Sequence, residues 1–122
     1  MPLRDVCGIG PAMIVLIHNS LIVFVQNFDC HNHSIFSDGL LRPRDLVALA
    51  KSSGCDAVAL TDHDNTGGLE EAENAAADMH IRFIRGVELS VTWPGRAASV
   101  ATADTNPITI HVVGLGIDPN EA

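Results

Sequence analysis

The sequence predicts an α/β domain built around a parallel sheet. Short apolar runs alternate with helix-forming segments in the order strand, helix, strand, helix, strand, the pattern of right-handed crossover units. Histidine and carboxylate clusters follow three of these runs, and a parallel sheet gathers such strand ends at one edge. Hydrophobic residues make up 47% of the 122 residues and charged residues 18%, so the chain can form one soluble domain at most.

The first half of the predicted sheet consists of two apolar runs and one helix. Residues 21–28 contain β-branched and aromatic residues and predict the first buried strand. Pro43 suits the first turn of a helix that continues over residues 44–52 and ends at Gly54. Residues 56–60 form the second apolar run, so we expect the chain to return to the sheet there.

The second half repeats this order. Two glycines precede a helix predicted over residues 69–79, which are rich in the helix formers alanine and glutamate. Residues 81–84 predict the third strand. A loop of small and polar residues from 94 to 107 separates it from a fourth strand predicted over 108–113. Because a helix connects each of the first three strands to the next, these strands are expected to be parallel.

Potential metal ligands follow the first strand. His31 and His33 are two residues apart, so on an extended strand both imidazoles point to the same face. Asp38 adds a carboxylate on the Ser-Asp-Gly turn that comes next. A His-x-His pair by itself is more often a pair of surface or core histidines than a metal site. The prediction therefore depends on the clusters that follow.

The second and third strands are followed by denser polar groups. Asp62, His63 and Asp64 come directly after an apolar run, where ionisable side chains are costly unless paired or metal-bound. Capping of the second helix by Asp64 or Asn65 is the structural alternative, and it leaves His63 unexplained. Glu88 follows the third strand and is either a solvated carboxylate at the rim or a bridge between two ions.

His111 lies inside the fourth predicted strand and alternates with apolar neighbours, so its side chain points away from theirs. Such a histidine is by itself more often structural. Four strands together, however, carry a mixture of imidazole and carboxylate groups. That donor set suits Zn, Mn or Fe rather than Ca or a cysteine-rich structural zinc site. Such ions activate water and polarise phosphoryl oxygens, so the residues predict hydrolysis.

The charge indicates which partners the chain can bind, and the cysteine content indicates its compartment. The net charge is −8 and the seven lysine and arginine residues form no basic stripe, so stable binding of a nucleic-acid duplex is not expected. Cys7, Cys30 and Cys55 share no metal-site or redox spacing. We interpret them as small buried residues of a protein in a reducing cytoplasm.

The stretch from residue 12 to residue 28 is strongly apolar, which raises the alternatives of an export signal and a membrane anchor. Polar residues at 18–20 interrupt it, and the uninterrupted runs are far shorter than a membrane span of roughly 20 residues. We therefore expect no membrane partner. Residues 1–25 are interpreted as an apolar leader of uncertain origin, and residues 26–122 as the domain itself.

The clusters, taken in order, resemble the successive motifs of the PHP (polymerase and histidinol phosphatase) superfamily. The resemblance runs from about residue 27 to residue 119. It is carried by Asp-Cys-His-Asn-His at 29–33, Ser-Asp-Gly at 37–39, Thr-Asp-His-Asp at 61–64, Gly-Val-Glu at 86–88 and Ile-His-Val-Val-Gly at 110–114. Within the superfamily, the chain looks most like the stand-alone bacterial phosphoesterases, which include nucleoside bisphosphate phosphatases and 5′–3′ exoribonucleases.

The resemblance implies a distorted (β/α)7 barrel that holds up to three divalent ions, Mn, Fe or Zn. The nucleophile would be a metal-activated water, so no side chain would attack phosphorus. Carried over by motif, the implied ligands are His31, His33 and Glu88 for a first ion, Glu88 and His111 for a second, and Asp38 and His63 for a third. Asp62 and Asp64 would be supporting or capping residues.

The implied activity is metal-dependent hydrolysis of phosphate esters, with a nucleotide or the end of a short RNA as the small phosphorylated substrate. Members of the superfamily are roughly twice as long, and their later strands supply further ligands; a parallel barrel typically has about 250 residues. We therefore expect residues 26–122 to be the N-terminal portion of a PHP domain. The alternative is a non-catalytic metal-binding fragment or interaction module of the same fold.

Overall fold

The computed structural model describes residues 13–17, 21–93 and 107–120 of the chain. These residues contain two sheets and two helices. In chain order the elements are β1 (Met13–Ile17), β2 (Leu21–Val25), β3 (Phe28–Asp29), α1 (Pro43–Ser52), β4 (Ala57–Leu60), α2 (Leu69–Met79), β5 (Arg82–Trp93) and β6 (Ile108–Leu115). The main sheet has the order β3-β4-β5-β6, and β1 pairs with β2 in a separate sheet. Neither helix among these residues is long and apolar enough to cross a bilayer.

The parallel part of the main sheet agrees with the sequence prediction. β3 pairs parallel with β4, β4 pairs parallel with β5, and α1 and α2 form the two crossovers. Every residue of β4 is buried, which explains its unbroken apolar sequence. The buried faces of α1 and α2 share one core with this strand, around Val47, Val58 and Ala72. β4, which leads directly into Asp62 and His63, is therefore anchored in this core.

The first predicted strand is divided in two, which corrects the prediction of one strand over 21–28. Leu21–Val25 pairs antiparallel with β1, and only Phe28 and Asp29 join the main sheet. Asn27 accounts for the break, because its N–H donates to Asp56 Oδ2 at 2.8 Å and its carbonyl accepts the Asp56 N–H at 2.8 Å. Hydrophobic patterning indicates extended chain but does not indicate which strand it pairs with.

The third strand is much longer than predicted. It continues from Arg82 to Trp93 because β6 pairs antiparallel with its second half, from Gly86 to Trp93. Glu88 and His111 therefore lie inside strands rather than at strand ends. The antiparallel register puts Ser90 opposite His111 and Glu88 opposite Val113 on one face of this ribbon. Glu88 and His111 therefore share that face.

Several sequence predictions fall partly or wholly outside the described residues. These are the loop predicted over 94–107, of which only residue 107 is described, the leader predicted over 1–25, of which residues 1–12 and 18–20 are not described, and Cys7. Cys30 and Cys55 are free thiols and only half-buried, so the prediction that they are buried holds in part. Burial raises the pKa of the Cys55 thiol.

Candidate metal centre

The structure brings the six predicted ligand residues together. They form three overlapping groups, and within each group the potential ligand atoms lie within 4.8 Å of one another. The groups are His31, His33 and Glu88; His33, Asp38 and His63; and His63, Glu88 and His111. His33, His63 and Glu88 each belong to two groups, so the cluster is continuous and not three separate sites.

Glu88 forms the buried floor of the cluster, with a side chain only 7% exposed. Its Oε2 lies 2.7 Å from His31 Nε2 and 2.8 Å from His33 Nε2, and its Oε1 lies 3.5 Å from His111 Nδ1. The hydrogen bond from His31, followed by that from His33, lowers the pKa of the Glu88 carboxyl below its ordinary value. The carboxylate is therefore kept anionic, which is the form that binds a cation.

The distances around Glu88 fit a divalent cation. Two ligand atoms that lie about 2.1 Å from one ion, at right angles to each other, are about 3 Å apart. The observed triangle has sides of 2.7 Å and 2.8 Å from Oε2 to the two imidazoles and 3.1 Å between His31 Nε2 and His33 Nε2. Mixed imidazole and carboxylate donors at this spacing are the ligands that Zn, Mn and Fe accept.

Both ring nitrogens of His33 lie within hydrogen-bonding distance of a carboxylate. Its Nδ1 lies 2.7 Å from Asp38 Oδ1 while its Nε2 lies 2.8 Å from Glu88 Oε2. A neutral imidazole carries one N–H, so it can donate to only one of these two carboxylates. The other contact requires either a second proton on the ring or a cation next to the ring nitrogen.

Asp38 is the exposed edge of the centre. Its side chain is 66% exposed, and its Oδ2 lies 3.6 Å from His63 Nε2. The hydrogen bond with His33 lowers the pKa of the Asp38 carboxyl. Among the described residues, the His31 and His111 side chains are also about half exposed.

The backbone beyond β4 positions His63. The Glu88 N–H donates to the Asp62 carbonyl at 3.1 Å and the Asp64 N–H donates to the Glu88 carbonyl at 2.8 Å, which places His63 beside Glu88. The Asp64 backbone is left-handed, with φ at 48°, and its Oδ1 accepts the Ser90 N–H at 2.9 Å. This hydrogen bond lowers the pKa of Asp64. Asp64 therefore holds β5 beside the centre through its hydrogen bond with Ser90, and it does not cap α2.

Asn65, the other residue considered for capping, does act at the helix entrance. Its Oδ1 accepts the Gly67 N–H at 2.8 Å, and its amide donates to the Phe36 carbonyl at 2.9 Å. The N-cap residue Gly68 has no side chain, so Asn65 stabilises the turn before α2 and the loop that carries Asp38.

Two supporting residues were not predicted from the sequence. A Cβ on Gly39 would lie 2.1 Å from the His33 carbonyl oxygen, so only glycine allows the turn after Asp38 to approach so closely. Asn32 joins the loop to β4, because its carbonyl accepts the Thr61 N–H at 2.8 Å and its amide donates to the Ala59 carbonyl at 3.2 Å. The glycine in the Ser-Asp-Gly turn was a sequence signal for the close approach at Gly39, whereas nothing in the sequence indicated the contacts of Asn32.

Comparison with known proteins agrees with this arrangement. The PHP domain family model matches residues 29–114. The chain is 48% identical over 97 residues to the 3′,5′-nucleoside bisphosphate phosphatase of Chromobacterium violaceum, covering 80% of this chain and 30% of that protein. It is 42% identical over 93 residues to the 5′-3′ exoribonuclease of Haemophilus influenzae, covering 76% of this chain and 30% of that protein.

Solved structures give the same result. A structure from Chromobacterium violaceum described as an amidohydrolase, with bound sulfate and no metal, superposes with a TM-score of 0.66 at 48% identity. It is matched over 78% of this chain and 29% of that one. A structure from Bifidobacterium adolescentis, described as an inferred metal-dependent phosphoesterase, superposes with a TM-score of 0.63 at 32% identity. It is again matched over 78% of this chain and 29% of that one.

The chain thus spans about 30% of the length of the curated relatives. The family match covers most of the chain and contains the six clustered residues, from His31 to His111. The mixed sheet and its two helical crossovers correspond to part of the barrel in these neighbours. This protein belongs to the PHP domain family.

Proposed function

We propose that this chain carries the metal centre of a phosphoesterase, a hydrolase that cleaves phosphate esters of nucleotides or of short RNA ends. The observation that carries the proposal is the convergence of four imidazoles on Glu88, within three overlapping ligand groups that include Asp38. The pKa of each carboxyl lies below its ordinary value, so both are anions at neutral pH. Such a cluster attracts divalent cations more strongly than its separate members would.

The residues have separate tasks in this proposal. Glu88 and the histidines at 31 and 33 hold one ion at the buried floor, Glu88 and His111 hold a second, and Asp38 and His63 hold a third. Bound Mn, Fe or Zn supplies an activated water and polarises the phosphoryl oxygen. Among the described residues, the side chains of His31, Asp38 and His111 are half exposed or more, and the proposal has the phosphate ester approach from this side.

The substrate class follows from the relatives and from charge. The two curated relatives are named for action on nucleoside bisphosphates and on RNA from its 5′ end. The net charge of −8 disfavours a long polyanion, so we propose a small phosphorylated substrate and no stable duplex binding. We further propose that residues 26–122 form the PHP portion, acting in the cytoplasm and not on a membrane.

The competing proposal is a metal-binding module without turnover. It is favoured by the length comparison, because this chain matches only about 30% of each curated relative. Both proposals require the same cluster and both predict bound metal. Only the first predicts release of phosphate or a nucleotide.

Turnover with two substrates separates these proposals. The chain, loaded with Mn²⁺, is assayed with adenosine 3′,5′-bisphosphate and with a short 5′-phosphorylated RNA. Glu88→Gln removes the shared ligand, and Glu70→Gln makes the same chemical change on the exposed first turn of α2. We expect hydrolysis by the wild type and Glu70→Gln, and none by Glu88→Gln. Bound metal without turnover supports the module, and turnover that survives Glu88→Gln contradicts the proposed site.

A further inference from the structure

A second cluster lies beneath the metal centre, formed by Ser34, Ser37 and Asp62. The Asp62 carboxylate is 2% exposed and accepts three hydrogen bonds. Its Oδ1 accepts the Ser34 N–H at 2.6 Å and the Ser37 hydroxyl at 2.6 Å, and its Oδ2 accepts the Ser34 hydroxyl at 2.7 Å. Short hydrogen bonds to a buried carboxylate are among the stronger polar contacts in a protein.

Each member of this cluster is the chain neighbour of one candidate ligand. Ser34 follows His33, Ser37 precedes Asp38, and Asp62 precedes His63. The three neighbouring ligands form one of the three ligand groups. A single carboxylate therefore ties together the backbones that present all three ligands of this group, although these come from two different loops.

The other ligands depend on different contacts. Among the described residues, the side chain of His31 contacts Glu88 and His33, and that of His111 contacts Glu88 and Ser90. Neither is adjacent in the chain to Ser34, Ser37 or Asp62. All three ligands of the group formed by His33, Asp38 and His63 are chain neighbours of this cluster, whereas each of the other two groups contains only one such ligand. A change at Asp62 should consequently weaken this group most.

We propose that Asp62 is a positioning residue that sets the spacing of His33, Asp38 and His63, and thereby the affinity of the ion bound by this group. The inference rests on the proposed metal centre and deepens it. Residues that orient metal ligands without touching the metal change metal affinity by about 10- to 100-fold. The expected effect is a loss of that size at one class of ion, with a smaller loss at the classes that share His33 or His63 with it.

Three variants separate positioning from general support of the fold. Asp62→Ala removes all three hydrogen bonds. Asp62→Asn keeps an oxygen for the Ser34 N–H and the Ser37 hydroxyl, and its amide can donate to the Ser34 hydroxyl oxygen, so it should largely restore the affinity. Ser37→Ala removes the hydroxyl of a half-buried residue, which donates to Asp62 Oδ1 at 2.6 Å and lies 3.5 Å from Asp38 Oδ1, and it is the variant expected to fold in any case. Asp78→Asn removes the same charge from the exposed surface of α2 and is the matched control.

The test is equilibrium dialysis of each full chain against Mn²⁺, with bound metal counted per chain and circular dichroism recorded in parallel. We expect one class of ion to be weakened more than the others in Asp62→Ala, a smaller loss in Ser37→Ala, and near wild-type binding in Asp62→Asn and Asp78→Asn. If Asp62→Ala does not fold, Ser37→Ala decides. Unchanged binding, or equal weakening of every class, overturns the inference while the metal centre stands. A wild-type chain that binds no Mn²⁺ overturns both.

Discussion

Replacing Glu88 with glutamine perturbs the residue at the floor of the cluster. The glutamine side chain has nearly the same size, but it loses the negative charge and one of the two ligand oxygens. Glu88 belongs to two of the three ligand groups, so only the group of His33, Asp38 and His63 keeps its full ligand set. We expect bound ions to fall to at most one per chain.

The size of the effect can be stated as metal-dependent stability. An ion present at 100 times its dissociation constant stabilises the folded state by about 2.7 kcal/mol. In a domain of about 100 residues this corresponds to a rise in melting temperature of roughly 10 to 20 °C. Each ion that Glu88 holds adds such a rise in the wild type, so Glu88→Gln should lose these contributions and keep at most that of one ion. Its melting temperature in chelator should change much less.

The assay is thermal unfolding with and without Mn²⁺, followed by circular dichroism. Glu70→Gln on α2 is the matched control, since it removes an exposed carboxylate that belongs to none of the three ligand groups. A Glu88→Gln variant that Mn²⁺ stabilises as much as the wild type would refute the reasoning, because the ions would then be bound without the shared ligand.

Three further perturbations have defined outcomes. Gly39→Ala places a Cβ 2.1 Å from the His33 carbonyl oxygen and should weaken Mn²⁺ binding in dialysis. Gly54→Ala is the control, because Gly54 has a φ of 82° and open space around it. It should lower the free energy of unfolding in urea by about 1 kcal/mol and leave Mn²⁺ binding intact. Leu60→Ala removes a fully buried side chain of β4 and should lower the free energy of unfolding by about 2–5 kcal/mol, measured by urea titration; a cost under about 1 kcal/mol would contradict its placement in the core. The pKa of Asp38 and that of Glu88 are lowered from ordinary values of 3.8 and 4.5. Both carboxyls therefore stabilise the metal-free fold at a pH above these ordinary values, and this stabilisation is lost as the pH falls through their lower pKa values in the folded state. Urea titrations between pH 6 and pH 3 should show stability falling below about pH 4.5, less steeply in Glu88→Gln, and an identical pH profile for the two proteins would contradict this assignment.

The sequence predicts the parallel core well because its signals are local. Pro43 marks the start of α1, the four apolar residues of β4 are buried throughout, and the alanine-rich segment after Gly68 forms α2. Membership of the PHP family and the barrel fold class are confirmed by the comparisons. The metal-binding role of the six clustered residues stays a prediction, although the structure brings them together as the motifs imply.

What the sequence could not predict depends on pairing between distant residues. β5 continues to Trp93 because β6 lies beside it, and no local pattern in residues 85–93 indicates this partner. The apolar run before Asn27 divides for a similar reason, since β2 pairs with β1 instead of joining the main sheet. Apolar patterning indicates that a strand forms, but the partner and direction depend on the whole chain.

The contacts that hold the ligand loops of the metal centre together could not be predicted from the sequence either. Ser34 and Asp62 are 28 residues apart in the chain, and nothing in either segment indicates that they are in contact. Sequence reasoning identified Asp62 as supporting or capping, and the structure shows which loop it holds. Such contacts are decided by the packing of two loops, which single-residue preferences do not describe.

The most direct test of the metal centre is anomalous diffraction from crystals of this chain grown with Mn²⁺. The account predicts anomalous peaks beside Glu88, with one of them within about 2.0–2.3 Å of His31 Nε2, His33 Nε2 and the Glu88 carboxylate. Mutually adjacent peaks shared by the three ligand groups would establish the centre. Mn²⁺ bound elsewhere, or no peak at Glu88 in a crystal whose protein binds Mn²⁺ in solution, would contradict it.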